Sequence, residues 1–272
     1  STSRPKIIVT ERNTYSELRK HGSRKDRFLH IFVKRSYLSA DAIVAVSEGV
    51  ADDLCLQFSF ERKDIHVIYN PVVSNQIFER MAGDLDLSIS HDLVMSKFVI
   101  AMGSLEERKG FRDLIRAFHI VTKTDDAVNL VILGEGSKRR ELESLIIRLR
   151  LQTRVFMPGF VTTPFPILKN AQVFILSSVV EGLPNVLIQA MACGVPVVAT
   201  DCPSGPREIL ECGKWGLLVP VGDANSMASA ILEQLSGVFP RLPVEQRARF
   251  FSVDRAVNAY EDLIGRVIGD SL

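Results

Sequence analysis

The chain has 272 residues, 46% hydrophobic and 24% charged, with a formal net charge of +1. That suffices for one large or two smaller folded units with a sizeable core, and it excludes a disordered chain. The near-neutral balance leaves no global field to draw nucleic acid, so no nucleic-acid partner is expected.

In chain order, the first strand-like run is Lys6–Thr10. It follows the basic start at once, so the N-terminus does not read as a signal peptide. Residues 19–35 then carry Arg19, Lys20, Arg24, Lys25, Arg27, Lys34 and Arg35 against Asp26, interleaved with Phe28, Leu29, Ile31, Phe32 and Val33. Such a segment fits a helix packing its apolar side on a sheet, and it also fits peripheral contact with an anionic membrane. Ala42–Ser47 and Ile65–Tyr69 are the next strand candidates. After Asn70-Pro71 the pattern breaks, and residues 72–97 read as a polar, poorly periodic linker. Residues 1–71 hold too few strands for an independent α/β domain, so part of an N-terminal domain is expected to be missing or supplied elsewhere.

From Phe98 onward short apolar runs alternate with amphipathic stretches. The strands are expected at Phe98–Met102, Asn129–Gly134, Arg154–Met157, Gln172–Ser177, Pro196–Thr200 and Gly216–Val219. Most are β-branched and near-continuously apolar, which suits strands buried on both faces of a parallel sheet. Helical stripes lie between them, at Phe111, Leu114, Ile115 and Phe118 and at Leu142, Leu145, Ile146 and Leu149. The alternation predicts an α/β, Rossmann-like doubly wound fold over residues 98–250. No apolar run reaches the ~18 residues that span a bilayer. Cys55, Cys193, Cys202 and Cys212 form no CxxC and no zinc-type spacing, so they read as buried reduced thiols in a cytoplasmic protein.

In an open parallel sheet ligands sit beyond the carboxyl ends of the strands, so the loops there carry the chemistry. The first, Gly103-Ser104-Leu105-Glu106-Glu107-Arg108-Lys109-Gly110, combines a glycine with two adjacent cations. It suits an anionic phosphate and equally a solvated basic turn. The second, Gly134-Glu135-Gly136, starts a dinucleotide fingerprint whose third glycine is replaced by Arg139, which argues against an NAD site. The third, Ser177–Pro196, places Pro184 at the first turn of a helix and Gly194 at its C-terminal cap. A helix start there can hold a diphosphate on free backbone N–H groups. Asn185 and Gln189, four apart, are expected on one face, with Glu181 left in the loop.

These motifs, with Val155–Gly159, Gly205-Pro206-Arg207-Glu208-Ile209 and Gly216–Gly222, resemble the C-terminal domain of retaining GT-B glycosyltransferases of family 4. Within that family they look most like transferases of lipopolysaccharide-core and capsule synthesis. Ser47–Leu54 and Tyr69–Val72 resemble the end of the family's N-terminal domain, and residues 251–272 its C-terminal helix crossing back toward that domain. The resemblance implies donor-binding roles residue by residue. Lys109, helped by Arg108, would hold the donor diphosphate and stabilise its charge as the sugar leaves. Gly182, Leu183, Pro184, Asn185 and Val186 would present the loop to the phosphates or the sugar. Glu181 matches the first glutamate of the Glu-x7-Glu motif, which contacts the transferred sugar. Phe160 and Val161 match the base-contacting turn, and Gly103, Gly134 and Gly136 would line the cleft.

Three departures stand out. Gln189 occupies the place of the motif's second glutamate, which grips the ribose, so the donor loses one charge-assisted bond. Ser104 replaces an arginine found in many members. The family's N-terminal domain begins well before Ser1, and Arg12 stands where relatives often carry a histidine. The resemblance therefore implies a glycosyltransferase that moves a sugar with retention from a nucleoside-diphosphate sugar, UDP-linked, to a glycan or lipid-linked acceptor. It implies no cofactor and no metal. A nucleotide-sugar-binding module without turnover and a GT-B sugar-nucleotide epimerase remain open as alternatives. The expected location is cytoplasmic, with contact at the inner face of the plasma membrane through residues 19–35.

Overall fold

The computed structural model describes residues 4–16, 24–83, 96–237 and 242–269. It is an α/β structure built on two parallel sheets. The smaller one has three strands, β1 (Ile8–Glu11), β2 (Ala42–Ala45) and β3 (Ile65–Val67), in that order. The larger one has six: β4 (Phe98–Met102), β5 (Asn129–Leu133), β6 (Val155–Gly159), β7 (Val173–Leu176), β8 (Val197–Thr200) and β9 (Leu217–Val219). Their order across the sheet is β6-β5-β4-β7-β8-β9, all parallel. The chain builds outward from β4 in one direction and then returns to β4's other side. The reversal puts a topological switch point between β4 and β7, where open sheets of this kind place their ligands.

The near-continuous apolar strands are explained by burial on both faces. Successive side chains of a strand point to opposite sides. Val99 and Ala101 enter one core with Leu130, Ile132, Val173 and Ile175. That face is covered by α4 (Phe111–Val121), α5 (Arg139–Arg148) and α9 (Ala224–Ser236), whose apolar stripes join the same core. Phe98 and Ile100 enter the other core with Val131, Phe174 and Val197. There they meet α6 (Phe165–Leu168), α7 (Asn185–Ala192) and α10 (Val244–Ala248). The second core runs without a break into α2 (Glu48–Phe58), which buries Val50, Ala51, Leu54 and Phe58. Pro158 is accommodated in β6 because β6 is an edge strand.

The two halves are tied together by backbone bonds where the chain crosses back. The Val72 and Val73 amides donate to the Phe251 carbonyl at 3.0 Å each, and Val253 N–H donates to Val73 O at 2.9 Å. From that crossing α11 (Val253–Gly269) lies on the small sheet, where Ala256 and Leu263 pack with Ala42, Val44 and Ile68. Thr10 Oγ1 and the Tyr260 hydroxyl meet at 3.3 Å on the same surface.

Some expectations need correction. The stretch read as a polar, poorly periodic linker contains α3 (Asn75–Met81), anchored by buried Ile77 and by Lys169 Nζ donating to Met81 O at 2.5 Å. One buried apolar residue in a short helix leaves no periodic stripe to read. All four cysteines are free, but only Cys202 is buried; Cys55 and Cys193 are half-buried and Cys212 is exposed. The basic segment falls partly outside the described residues, and its later part lies in α1 (Arg24–Ser39), where Phe32 and Leu38 are exposed. Among the described residues no helix is long and apolar enough to cross a membrane.

Candidate functional site

The loops after β4 and β7 meet at the switch point. Lys109 closes a single 3-10 turn, Glu107–Lys109, that ends on Gly110 with φ +65°. A Cβ on Gly110 would fall 1.9 Å from the Ser177 carbonyl, so glycine is what lets the two loops touch. Two further bonds lock them: Ser177 Oγ donates to Lys109 O, and Val179 N–H donates to Arg108 O, each at 2.8 Å. Lys109 Nζ then reaches across and donates to Glu181 Oε1 at 2.5 Å. The same oxygen accepts the Ser178 hydroxyl at 2.6 Å. The side chains of Lys109 and Glu181 are only 12% and 7% exposed, so this is a nearly buried ion pair. The cation and the loop glutamate expected to meet a donor thus meet each other in the protein.

Beside the pair opens a cleft of about 520 Å³. Its floor is the carboxyl end of β4 and β5, with Met102, Gly103 and Ser104 against Leu133, Gly134 and Glu135. Gly134 has φ +137°, and a Cβ there would sit 1.9 Å from the Gly103 carbonyl. The close approach keeps the two strand ends in contact and leaves backbone as the cleft floor. One wall is the turn after β6, where Gly159, at φ +100°, directs Phe160 and Val161 into the cleft with Thr162 and Pro164 behind. Phe160 is 75% exposed, an unusual state for a large apolar side chain, while Val161 is buried. The other wall is α7, through Val186 and Gln189. The Lys109 stem lies along the edge, since a Cβ on Gly103 would be 3.6 Å from both Lys109 Cδ and Cε.

The structure therefore brings Gly103, Ser104, Gly134, Phe160, Val161, Val186 and Gln189 into one cleft, with Lys109 and Glu181 at its edge. Other site candidates fall elsewhere. Gly136 does not line the cleft: a Cβ there would lie 2.6 Å from Leu105 N and O, so its glycine serves loop packing. Asn185 and Gln189 part company, because Asn185 Oδ1 accepts from Asn70 Nδ2 at 2.9 Å while Gln189 faces the cleft. Pro184 is the N-cap residue, one position before the expected first turn, with φ −74° and ψ 93°. Gly194 does close the helix, since Val195 N–H returns to Ala190 O and Gly194 N–H to Met191 O. Arg108 is exposed and contributes its carbonyl to the loop contact.

Sequence reasoning missed how the small-sheet half grips the loop between β7 and α7. The Glu11 carboxylate accepts from the Arg12 and Asn13 amides and from the Tyr37 hydroxyl. That fixes a turn whose Arg12 carbonyl presses on Gly182; a Cβ on Gly182 would be 2.0 Å from it. Ser47, the N-cap of α2, donates to the Gly182 carbonyl at 2.9 Å. Glu208 of α8 (Pro206–Ile209) caps the same α2 terminus, accepting the Glu48 amide at 2.9 and 2.8 Å. Burial pushes the Glu208 carboxyl above the usual carboxylate range. Cys202, beneath the loop, has its thiol pushed up to about 12 by burial. Among the described residues no group of three or more His, Cys, Asp or Glu side chains is placed to hold a metal ion.

Comparison with known proteins matches the chain to two family models. The family model described as glycosyl transferases group 1 matches residues 96–236. The model described as Glycosyltransferase Family 4 matches residues 2–76. An N-acetylgalactosamine-N,N'-diacetylbacillosaminyl-diphospho-undecaprenol 4-alpha-N-acetylgalactosaminyltransferase of Campylobacter jejuni is 31% identical, over 97% of this chain and 71% of its own length. The lipopolysaccharide core biosynthesis glycosyltransferase LpsE of Rhizobium meliloti is also 31% identical, over 84% of this chain and 65% of its own length. The first three curated relatives are covered to 71%, 50% and 65% of their lengths, so the chain spans only part of each. Among solved structures, Anabaena Alr3699/HepE in complex with UDP and glucose shares the fold at TM-score 0.78 and 21% identity, covering 96% of this chain and 71% of that one. TarM of S. aureus shares it at TM-score 0.76 and 23% identity, covering 96% of this chain and 50% of that one.

Proposed function

The chain belongs to the group 1, family 4 glycosyltransferases, and on that premise we propose that it is the donor-binding part of an enzyme moving a sugar from a UDP-sugar, with retention, to a glycan or lipid-linked acceptor in cell-surface polysaccharide synthesis. One observation carries the reading. A cleft of about 520 Å³ with a backbone floor and one exposed aromatic wall opens beside a nearly buried lysine–glutamate pair. The nucleoside enters the cleft, with its base against Phe160 and Val161 and its ribose toward Gln189. The diphosphate extends to Lys109, which leaves Glu181 to neutralise it, and Glu181 turns to the hydroxyls of the transferred sugar. Exchanging one buried anion for another keeps the lysine paired throughout, which limits the desolvation cost of binding. Charge that develops on the leaving diphosphate then meets a cation already in place.

The acceptor class rests on the company the chain keeps: the Campylobacter relative is named for an undecaprenol-linked acceptor and the Rhizobium one for lipopolysaccharide core. A lipid-linked acceptor would bring the protein to the cytoplasmic face of a membrane. The basic residues of 19–35, with exposed Phe32 in α1, are the segment suited to touch it.

Titration calorimetry with UDP, GDP and ADP tests the donor reading. UDP binding that is weakened by Phe160→Ala is expected, and failure of every nucleoside diphosphate to bind ends the reading. A turnover assay on the complete gene product then separates transfer from its rivals. Turnover without acceptor that yields the epimeric sugar would mean an epimerase, and binding without turnover a binding module.

A further inference from the structure

Gly182, at the centre of the loop between β7 and α7, is held by two hydroxyls from opposite halves of the molecule. Ser47 Oγ donates to its carbonyl from the start of α2, and Ser204 Oγ donates to the same carbonyl from the loop after β8, both at 2.9 Å. The two hydroxyl oxygens are themselves 2.8 Å apart. Ser47 Oγ also accepts the Val50 amide as the cap of α2. Two protons are available for three contacts, so either both serve the carbonyl or one serine donates to the other, which in turn donates to Gly182. In each arrangement the Ser47 hydroxyl contributes only while the halves are together, since Ser204 and Gly182 belong to the same half.

The surroundings show how tightly this junction is built. Ser204 has φ +66°, a left-handed conformation that a serine adopts only under constraint. A Cβ on Gly49 would meet Ser204 Oγ at 2.9 Å and Ser204 Cα at 3.0 Å. A Cβ on Gly205 would meet Pro184 Cδ at 2.5 Å, and one on Gly182 would meet Arg12 O at 2.0 Å. Three glycines and one strained serine converge on a single carbonyl, one residue from Glu181. Neither Ser47 nor Ser204 lines the donor cleft. Ser204 borders a separate cavity of about 560 Å³, and its hydroxyl is turned to the loop carbonyl and to Ser47.

We infer that Ser204 and Ser47 are positioning residues that set the loop bearing Glu181 through the Gly182 carbonyl, so that its reactive geometry depends on the small-sheet half being docked. The inference rests on the donor-site reading for its kinetic consequence and on the junction alone for its structural one. A loop freed at Gly182 lets Glu181 drift from Lys109 and from the sugar, and displacements on the order of 1 Å at a reacting centre can lower rates by as much as 10²-fold.

Ser204→Gly is the discriminating variant. Glycine accepts the left-handed backbone without strain, so the fold is preserved or slightly stabilised while the hydroxyl is lost. Hydrogen-exchange mass spectrometry on the whole chain is expected to show faster exchange in the segment around residues 178–187, with α11, which packs on the small sheet, unchanged. Ser47→Ala, which removes the partner hydroxyl from the other half, is expected to loosen the same segment. In the complete gene product kcat of Ser204→Gly is expected to fall about tenfold, the loss of one hydrogen bond's worth of positioning, while the Kd for UDP holds. Unchanged exchange in residues 178–187 would overturn the inference whatever the activity. So would a loss of UDP affinity equal to the loss in kcat, which would make Ser204 a binding residue. Failure of the wild-type chain to bind UDP would sink the donor reading, and the exchange result would still decide the junction.

Discussion

Replacing Lys109 by alanine separates stability from donor binding at one position. The wild-type pair is 2.5 Å long, with side chains 12% and 7% exposed. Removing the lysine strands the Glu181 carboxylate in a nearly buried site, where breaking such pairs costs about 3–5 kcal/mol. The Ser178 hydroxyl still bonds Glu181 Oε1, which favours the lower end, about 3 kcal/mol. For a chain of this size that is roughly a 5 °C drop in melting temperature. Adding Glu181→Gln removes the stranded charge and is expected to restore at least half of the loss. Binding behaves differently. The single and the double variant both lack the cation facing the diphosphate, so each is expected to bind UDP roughly 10–100-fold more weakly, the worth of a charge-assisted bond. Uridine, which lacks phosphate, should bind all forms alike. Scanning calorimetry on the four proteins of the cycle, with UDP and uridine titrations, supplies every number. A double variant no more stable than Lys109→Ala would refute the argument, since the deficit could then not come from an unpaired Glu181.

Gln189→Glu restores a carboxylate to the cleft wall and is expected to tighten UDP binding by a few-fold to tenfold, the difference between neutral and charge-assisted bonds; an unchanged or weaker affinity in calorimetry would remove Gln189 from the ribose. Glu208 supplies a pH signature. Burial raises its pKa above the ordinary 4.5, so the folded protein holds this proton more tightly than the unfolded chain. Its contribution is fully present below 4.5 and is lost as pH rises through the raised folded value. Glu208→Gln cannot lose that proton, so the melting temperature of the wild type minus that of the variant should decline with rising pH across this window. A difference that is flat or climbs with pH would contradict the burial assigned to Glu208.

Much of the fold was legible because the strands of a doubly wound sheet are buried on both faces. β4 and β7 are short and apolar throughout, and β5 and β8 depart from that only at Asn129 and Thr200, so each position could be read within a residue or two. The cleft was legible for a related reason. Much of its lining follows strand ends, with Gly103 after β4, Gly134 after β5, and Phe160 and Val161 after β6. The β6 end was read two residues short, at Met157, which left out Pro158 and Gly159. They form the irregular close of an edge strand whose pairing shifts between Val131 and Leu133.

What could not be read was the identity of the neighbour at each close approach. A glycine announces that something lies near its Cα, and the sequence does not say whether that is ligand or backbone. At Gly136 the neighbour is Leu105, at Gly182 it is Arg12, and at Gly134 it is Gly103. The same ambiguity held for Asn185 and Gln189, whose spacing suggested a shared task until Asn70, far away in the chain, claimed the asparagine. Ser47 and Ser204 lay beyond any local pattern, at 135 and 22 positions from the carbonyl they share. Local spacing locates strand ends, and strand ends locate the cleft. Two of the contacts on the Glu181 loop, from Ser47 and Arg12, come from the other sheet's half, and only the fold brings them within reach.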